Sequence, residues 1–580
     1  MNQVPSYVAA FYNERGYYYN NAGDFIQATT NYEKALNVAK QHNLEYYLAV
    51  FTNNLSTQYE SLGKYKDAIQ LGKEAISNTS DRLKQATYCL NISFYYLKTN
   101  QLRQVKYYLH RAEQILSQYK NHTSGYFIES EIMLYRNWGL YYAATKQLSQ
   151  AVRHFDKSIQ LGHLYWGKQH PSLALTYREK ATALEQQNKL AESLRSYRNA
   201  MQAVYLGPSL KQETDLPNLN EGILSERELF ESLVGQASVL GKISSSTHKD
   251  NSLYTFRTYQ LALNLAERIR LNYDVADAKL LFSQQVALVT ERAVETAYHL
   301  YQRTKQYQYL ELAFNITEGT RASTLTDARR EQSLKTAWIP KDMLAEENRL
   351  KNAVTSIKLS LNQPTTKNEH DSLKTRLVEQ EITLDKLRQK FRLKIPEYAR
   401  TANEKMNIQT IRQKLVNSKT ALLSYVLSDQ EMYVFIVSSE QVKWLRLPVT
   451  SRFYEAISAL QSDLYNNPGI SPYQGHKAAQ VAYEAMFAPL QPYLKGTNRL
   501  IIIRDKELNY LPFEVLEDKS HHFLLNSYAI RYSYGATLAQ IQENLPVSSG
   551  PDGILAMAPF SRLTSQTDVF RDKSLSALPA

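Results

Sequence analysis

The sequence contains a single cysteine, Cys89, among 580 residues. An intramolecular disulfide is therefore impossible, and so is a zinc site built from several thiolates. Long apolar runs are equally scarce, and none approaches the roughly 18 residues that a membrane span needs. The opening MNQVPSYVAAFYNERGYYYN has neither the basic n-region nor the apolar h-region of a secretory signal. The Gly–Lys pairs beginning at 63, 72, 167 and 241 all lack the Ser or Thr that a phosphate-binding loop requires next, and no H-E-x-x-H occurs. From these absences we expect no bound metal, no cofactor and no membrane span, and a cytoplasmic, reducing setting.

What is present is a multidomain globular composition. The chain is 43% hydrophobic and 21% charged, and a chain of this length exceeds a single core. The formal net charge of +12 permits an acidic partner, but it is spread along the chain. The densest basic run, KLRQKFRLK at 386–394, has the spacing of a solvated helix face, so nucleic acid is not an expected partner.

The first half repeats itself. NERGYYYNNAGDFIQATTNYEKAL aligns with NNLSTQYESLGKYKDAIQLGKEAI, and three further copies follow. The first copy places Gly16, Tyr19, Gly23, Ala28, Tyr32 and Ala35 at the matching offsets, and the second places Ser56, Tyr59, Gly63, Ala68, Gly72 and Ala75 there. Small residues let two antiparallel helices approach closely, aromatics fill the space between hairpins, and Gly or Asn stands where the chain turns with positive φ. The pattern resembles the tetratricopeptide repeat (TPR), with a period nearer roughly 40 residues than the usual 34. GKQHPSLALTY resembles the longer variety of kinesin light chains. The resemblance implies a helical superhelix whose groove takes a protein or peptide partner. Its lining is expected to include Asn13, Tyr17, Asn53, Asn91, Asn137 and Arg178, on the first helix of each hairpin.

We divide the chain into TPR repeats (1–207), degenerate TPR-like helical repeats (208–338), a helical-hairpin connector (339–405) and a last domain (406–580). In that domain the period changes from helical to alternating. ALLSYVLSD and EMYVFIVSS form a predicted hairpin, QVKWLRLP adds a strand, and the apolar run Leu500–Ile503 reads as a buried strand ending in a charged turn. SYAIRYSYGATL and GILAMAPF supply two more. Strands interleaved with helices predict a sheet covered on both faces.

The run MFAPLQPYLKGTNRLIIIRDKELNYLPFEVL, followed by LLNSYAIRYSYGATL and ILAMAPF, resembles the first half of a CHAT domain, the caspase-like domain associated with TPRs. AFNITEGTRASTL resembles the segment that joins the two. Arg504 and Lys506 stand where Pro and Gly commonly flank the Asp, and Tyr534–Gly535 stands in place of Pro–Ser. The implied fold is multidomain: an all-α TPR superhelix, a helical hairpin and a partial α/β caspase-like domain.

The resemblance further implies a bacterial cysteine-peptidase family, with a His–Gly turn and a strand-ending Cys that both follow the strand matched by ILAMAPF. Neither follows here, so the chain is expected to be truncated before the dyad and inactive as given, with no catalytic residue of its own. Cys89 lies among packed apolar residues, His521 and His522 lie in a surface loop, and Asp505, Glu507 and Glu514 read as turn caps. Two functions follow as alternatives. In one, the array binds a partner and regulates a peptidase domain that acts on a protein substrate. In the other, the chain is a non-enzymatic TPR scaffold with a CHAT-like interaction module.

Overall fold

The computed structural model describes residues 3–21, 23–119, 124–212, 214–246, 250–271, 273, 276–321, 339–361, isolated positions between 372 and 390, 407–466 and 475–543. The strand expected at GILAMAPF and the tail beyond it lie outside these residues.

Helices α1 (Gln3–Asn21), α2 (Phe25–Gln41), α3 (Glu45–Ser61), α4 (Tyr65–Ser77), α5 (Arg82–Lys98), α6 (Leu102–Ser117), α7 (Gly125–Ala144), α8 (Leu148–Trp166), α9 (Pro171–Gln186) and α10 (Leu190–Gln202) pack as successive hairpins. The repeat offsets explain this packing. A Cβ on Gly16 would sit 2.8 Å from the Tyr32 ring, and one on Gly139 would sit 2.6 Å from Phe155, so only glycine lets these helix pairs close. The turn offset is left-handed in every copy, with φ of 79° at Gly23, 74° at Gly63, 56° at Asn100, 62° at Lys146 and 59° at Asn188. That conformation ends the first helix and reverses the chain. The alanines Ala28, Ala35, Ala68, Ala75 and Ala112 are fully buried between helices.

Four more helices continue the array: α11 (Glu226–Ser246), α12 (Ser252–Leu271), α13 (Ala276–Thr304) and α14 (Tyr307–Thr320). Helix α11 runs through Ser246. After α15 (Lys341–Leu361), α16 (Ile408–Lys414) leads into the sheet. Its strands are β1 (Thr420–Leu427), β2 (Glu431–Val437), β3 (Val442–Pro448), β4 (Arg499–Ile503) and β5 (Ala529–Ser533), in the order β3-β2-β1-β4-β5. The β1–β2–β3 meander is antiparallel, with Leu427 opposite Met432, whereas β1, β4 and β5 are parallel. Helices α17 (Ser451–Asn466) and α18 (His476–Met486) form the crossover between β3 and β4, and α19 (Ala536–Glu543) follows β5.

Both faces of the sheet are covered, by layers of different origin. Ala421, Leu423, Tyr425 and Leu427 of β1 join a core with Phe453, Ile457, Leu460, Tyr483 and Phe487 from α17, α18 and the residue that follows. Alternate residues, Leu422 and Val426, face the other way and share a core with Val294, Ala297 and Leu300 of α13 and Leu310, Ala313 and Phe314 of α14. The last hairpin of the helical array is thus the second layer of the sheet. Phe314 meets Phe435 edge-on, and Trp444 stacks on Phe435 at a centroid distance of 4.9 Å. No helix among the described residues is long and apolar enough to cross a membrane.

Candidate functional site

The first helices of successive hairpins carry polar residues one turn before their small contact residue, and the structure joins them into a ladder. Asn54 of α3 donates its amide to Asn13 of α1 at 2.9 Å, and Asn91 of α5 donates to Asn53 of α3 at 2.8 Å. Asn137 of α7 donates to the Leu90 carbonyl at 2.9 Å and to Ser93 at 3.2 Å. On the next rungs charges replace amides. Arg136 of α7 grips Glu179 of α9 through two bonds of 2.8 and 2.6 Å. Arg178 of α9 reaches Glu228 of α11 at 3.2 Å. Burial pushes the Glu228 carboxyl above its ordinary range against the opposing pull of Arg178.

Five of the six residues expected to line the groove are therefore also rungs between neighbouring repeats. The sixth, Tyr17, is 57% exposed, near the exposed Tyr7, Phe11 and Tyr18 on the same helix. Sequence reasoning missed Asn54, Arg136, Glu179 and Glu228. The signal was available, because they occupy the two offsets that precede Ser56, Gly139, Ala181 and the next first helix.

A second polar centre lies where the array meets the sheet. Glu318, near the end of α14, is buried. Its Oε2 accepts the Ala536 backbone N–H at 2.6 Å, satisfying an orphan donor at the start of α19. Its Oε1 accepts the Ser424 hydroxyl of β1 at 3.4 Å and lies 3.6 Å from the Arg321 guanidinium. Arg321 in turn donates to Ser424 at 2.7 Å and to the Tyr425 carbonyl. Burial raises the Glu318 carboxyl from its ordinary value, with Arg321, the Ala536 amide and Ser424 opposing. The EGTR segment singled out by resemblance thus ties α14 to β1 and to the start of α19, the helix that follows β5.

The loop after β4 is braced at the carboxyl ends of the same strands. Asp505 accepts the Leu427 N–H at 2.8 Å and so caps β1. Arg504 lies 4.0 Å over the Tyr532 ring and donates to the Leu511 carbonyl at 3.1 Å. The Tyr532 hydroxyl donates to Glu514 and accepts the Phe513 N–H at 2.6 Å. Lys506 has φ of 46°, the left-handed geometry that suits the glycine common at this position, and its ammonium pairs with Glu291 of α13 at 2.8 Å. Asp505 and Glu514 thus serve the turn, and the side-chain amide of Gln461 meets the Glu507 carbonyl at 3.1 Å.

Nucleophilic chemistry has little to draw on among these residues. Cys89 is buried in α5, and burial pushes its thiol up to about 11. The thiolate that attack requires is therefore disfavoured at neutral pH. His521 and His522 lie in the exposed loop after Glu517, remote in sequence from Cys89.

The CHAT domain family model matches residues 476–580. No curated protein matches the chain. Among solved structures, BtubC (BKLC) from P. vanneervenii is 12% identical, with 44% of this chain and 93% of that one covered and a TM-score of 0.30. PilF of Pseudomonas aeruginosa is 18% identical, covering 43% and 96%, with a TM-score of 0.26. The TPR-like repeats of a putative kinesin light chain from Podosopora anserina are 16% identical, covering 34% and 94%, with a TM-score of 0.25.

Proposed function

We propose that this chain, a TPR-type helical array followed by a CHAT domain, senses a protein or peptide partner through the array and passes that binding to the CHAT sheet. In a caspase-like peptidase of this architecture, the described part supplies the sensor and the leading strands, and partner binding regulates cleavage of a protein substrate. One observation carries the reading: α13 and α14 belong at once to the array and to the core of the sheet, joined there by Leu310, Phe314 and Phe435 and by Glu318 and Arg321. Packed cores shift between discrete arrangements rather than deforming continuously, so a repacking of the array has a short route to the strand ends. The exposed Tyr17, with Asn13, Asn91 and Arg178 along the ladder, is where we place partner contact, whereas Asn53 and Asn137 are buried and join neighbouring repeats instead.

The test is selection of binding peptides from a display library on the full chain, followed by hydrogen exchange. A selected peptide should lose about tenfold in affinity on Tyr17→Ala, roughly the loss of one aromatic anchor. It should also change exchange in β1 and β5. Peptides that bind Tyr17→Ala equally well and leave the sheet untouched would refute the reading.

The alternative is a scaffold whose CHAT-like domain is an interaction module without catalysis. Proteolysis by the whole gene product that is blocked by a thiol alkylator separates the two.

A further inference from the structure

The loop between β4 and β5 brings two of its side chains up to a third that lies 41 residues earlier in the sequence. His476 opens α18, whereas Glu517 and His521 sit at the two ends of a tight turn. Glu517 is fully buried and offers one carboxylate oxygen to each imidazole. Nδ1 of His476 lies 2.7 Å from Oε2, and Nδ1 of His521 contacts Oε1. The three ligand atoms all lie within 4.8 Å of one another.

The turn is built to hold this arrangement. Asp518 accepts the backbone N–H groups of Ser520 at 2.8 Å and His522 at 3.0 Å, and Leu524 N–H returns to the Leu516 carbonyl at 2.8 Å. His521 takes a left-handed φ of 62°, uncommon for a residue with a Cβ, and this turns its ring toward Glu517. Lys519 pairs with Glu484 of α18 at 3.4 Å, which holds the loop against the helix. Although the carboxylate is buried, the imidazoles that flank it are 48% and 71% exposed, so the cluster lies at the surface.

We propose that His476, Glu517 and His521 form a surface site for a divalent transition metal of the zinc class, which fastens the 517–523 loop to the start of α18. Two imidazole nitrogens and one carboxylate oxygen are the donors that zinc takes, leaving a fourth position for water. Calcium and magnesium are disfavoured because they need an oxygen-rich shell. The site is structural, and no chemical step is assigned to it.

The experiment uses the full chain stripped of metal, with Co2+ as the probe and Zn2+ as the competitor. One equivalent of Co2+ should produce a saturable ligand-field absorption that Zn2+ abolishes. Affinity should fall as the pH drops, because each Nδ1 must be free of its proton to coordinate. His476→Ala and His521→Ala should each weaken binding about tenfold or more, since each removes one of three protein ligands. His522→Ala, one residue along and equally exposed, should leave binding unchanged. His521 is exposed enough that its alanine variant should keep the wild-type circular dichroism, so its loss of binding is not a loss of fold. Absence of a one-equivalent signal in the native chain overturns the proposal. So does a signal that survives both His476→Ala and His521→Ala, which would place the metal elsewhere.

Discussion

Arg321→Ala tests the joint between array and sheet most directly. The guanidinium lies 3.6 Å from the Glu318 carboxylate. At an effective dielectric of about 20, that separation corresponds to roughly 4–5 kcal/mol of attraction. Removing the arginine leaves a buried carboxylate with only Ser424 and the Ala536 amide, and breaking one side of a buried pair costs about 3–5 kcal/mol. Protonation of Glu318 limits that cost and gives it a pH dependence. Burial already raises the carboxyl from its ordinary value, and loss of Arg321 raises it further. A raised folded value means the folded state holds the proton more tightly, so its contribution is complete below the ordinary carboxylate range and is lost as pH rises through the folded value. The deficit of the variant should therefore be smallest at acid pH and grow as the pH rises. At the acid end only the bonds to Ser424 and Tyr425 are missing, about 1–2 kcal/mol together. Hydrogen exchange of the Ala536 amide and of α14, compared between variant and wild type at each pH, reads the local opening free energy. Glu318→Gln combined with Arg321→Met should recover part of the loss, because no buried charge remains. A deficit under about 1 kcal/mol at the upper pH, or one that does not change with pH, refutes the assignment of Glu318 and Arg321 as a buried pair.

Ala28→Glu and Ala68→Glu should each open their hairpin locally, at a cost of several kcal/mol for a charge forced between close helices, and unchanged melting temperatures would show the packing face to be wrong. A double-mutant cycle on Arg136 and Glu179 should give a coupling of about 1–3 kcal/mol for a two-bond, largely buried pair, whereas additive losses would remove it from the ladder. Cys89 should resist alkylation in native protein at neutral pH and react once denaturant is added, because burial holds its thiol near about 11. Rapid labelling without denaturant contradicts that burial.

The helical array and the strand-rich domain were legible because their signals are local and periodic. Small residues, turn glycines and asparagines, and alternating apolar runs act on neighbours in the chain, and the alignment of Gly23, Gly63, Asn100, Lys146 and Asn188 was enough to locate the left-handed turns. Lys146 shows the limit, since the offset and not the residue type specified the turn. The ladder was half legible. Asn13, Asn53, Asn91 and Asn137 stood out one by one, but their pairing with neighbouring repeats depends on how consecutive hairpins rotate, which no single repeat encodes.

What the sequence determined by itself was the set of elements and their order: hairpin after hairpin, then a meander, then parallel strands. Tertiary structure alone decided that α13 and α14 serve as a layer of the sheet, because an amphipathic helix declares that one face is apolar but not what covers it. It alone placed Glu318 against an amide 218 residues away and His476 against Glu517 and His521. These contacts carry no periodicity and no fixed spacing. They exist because the crossovers between parallel strands bring distant turns to the same edges, and that convergence appears only once the sheet has formed.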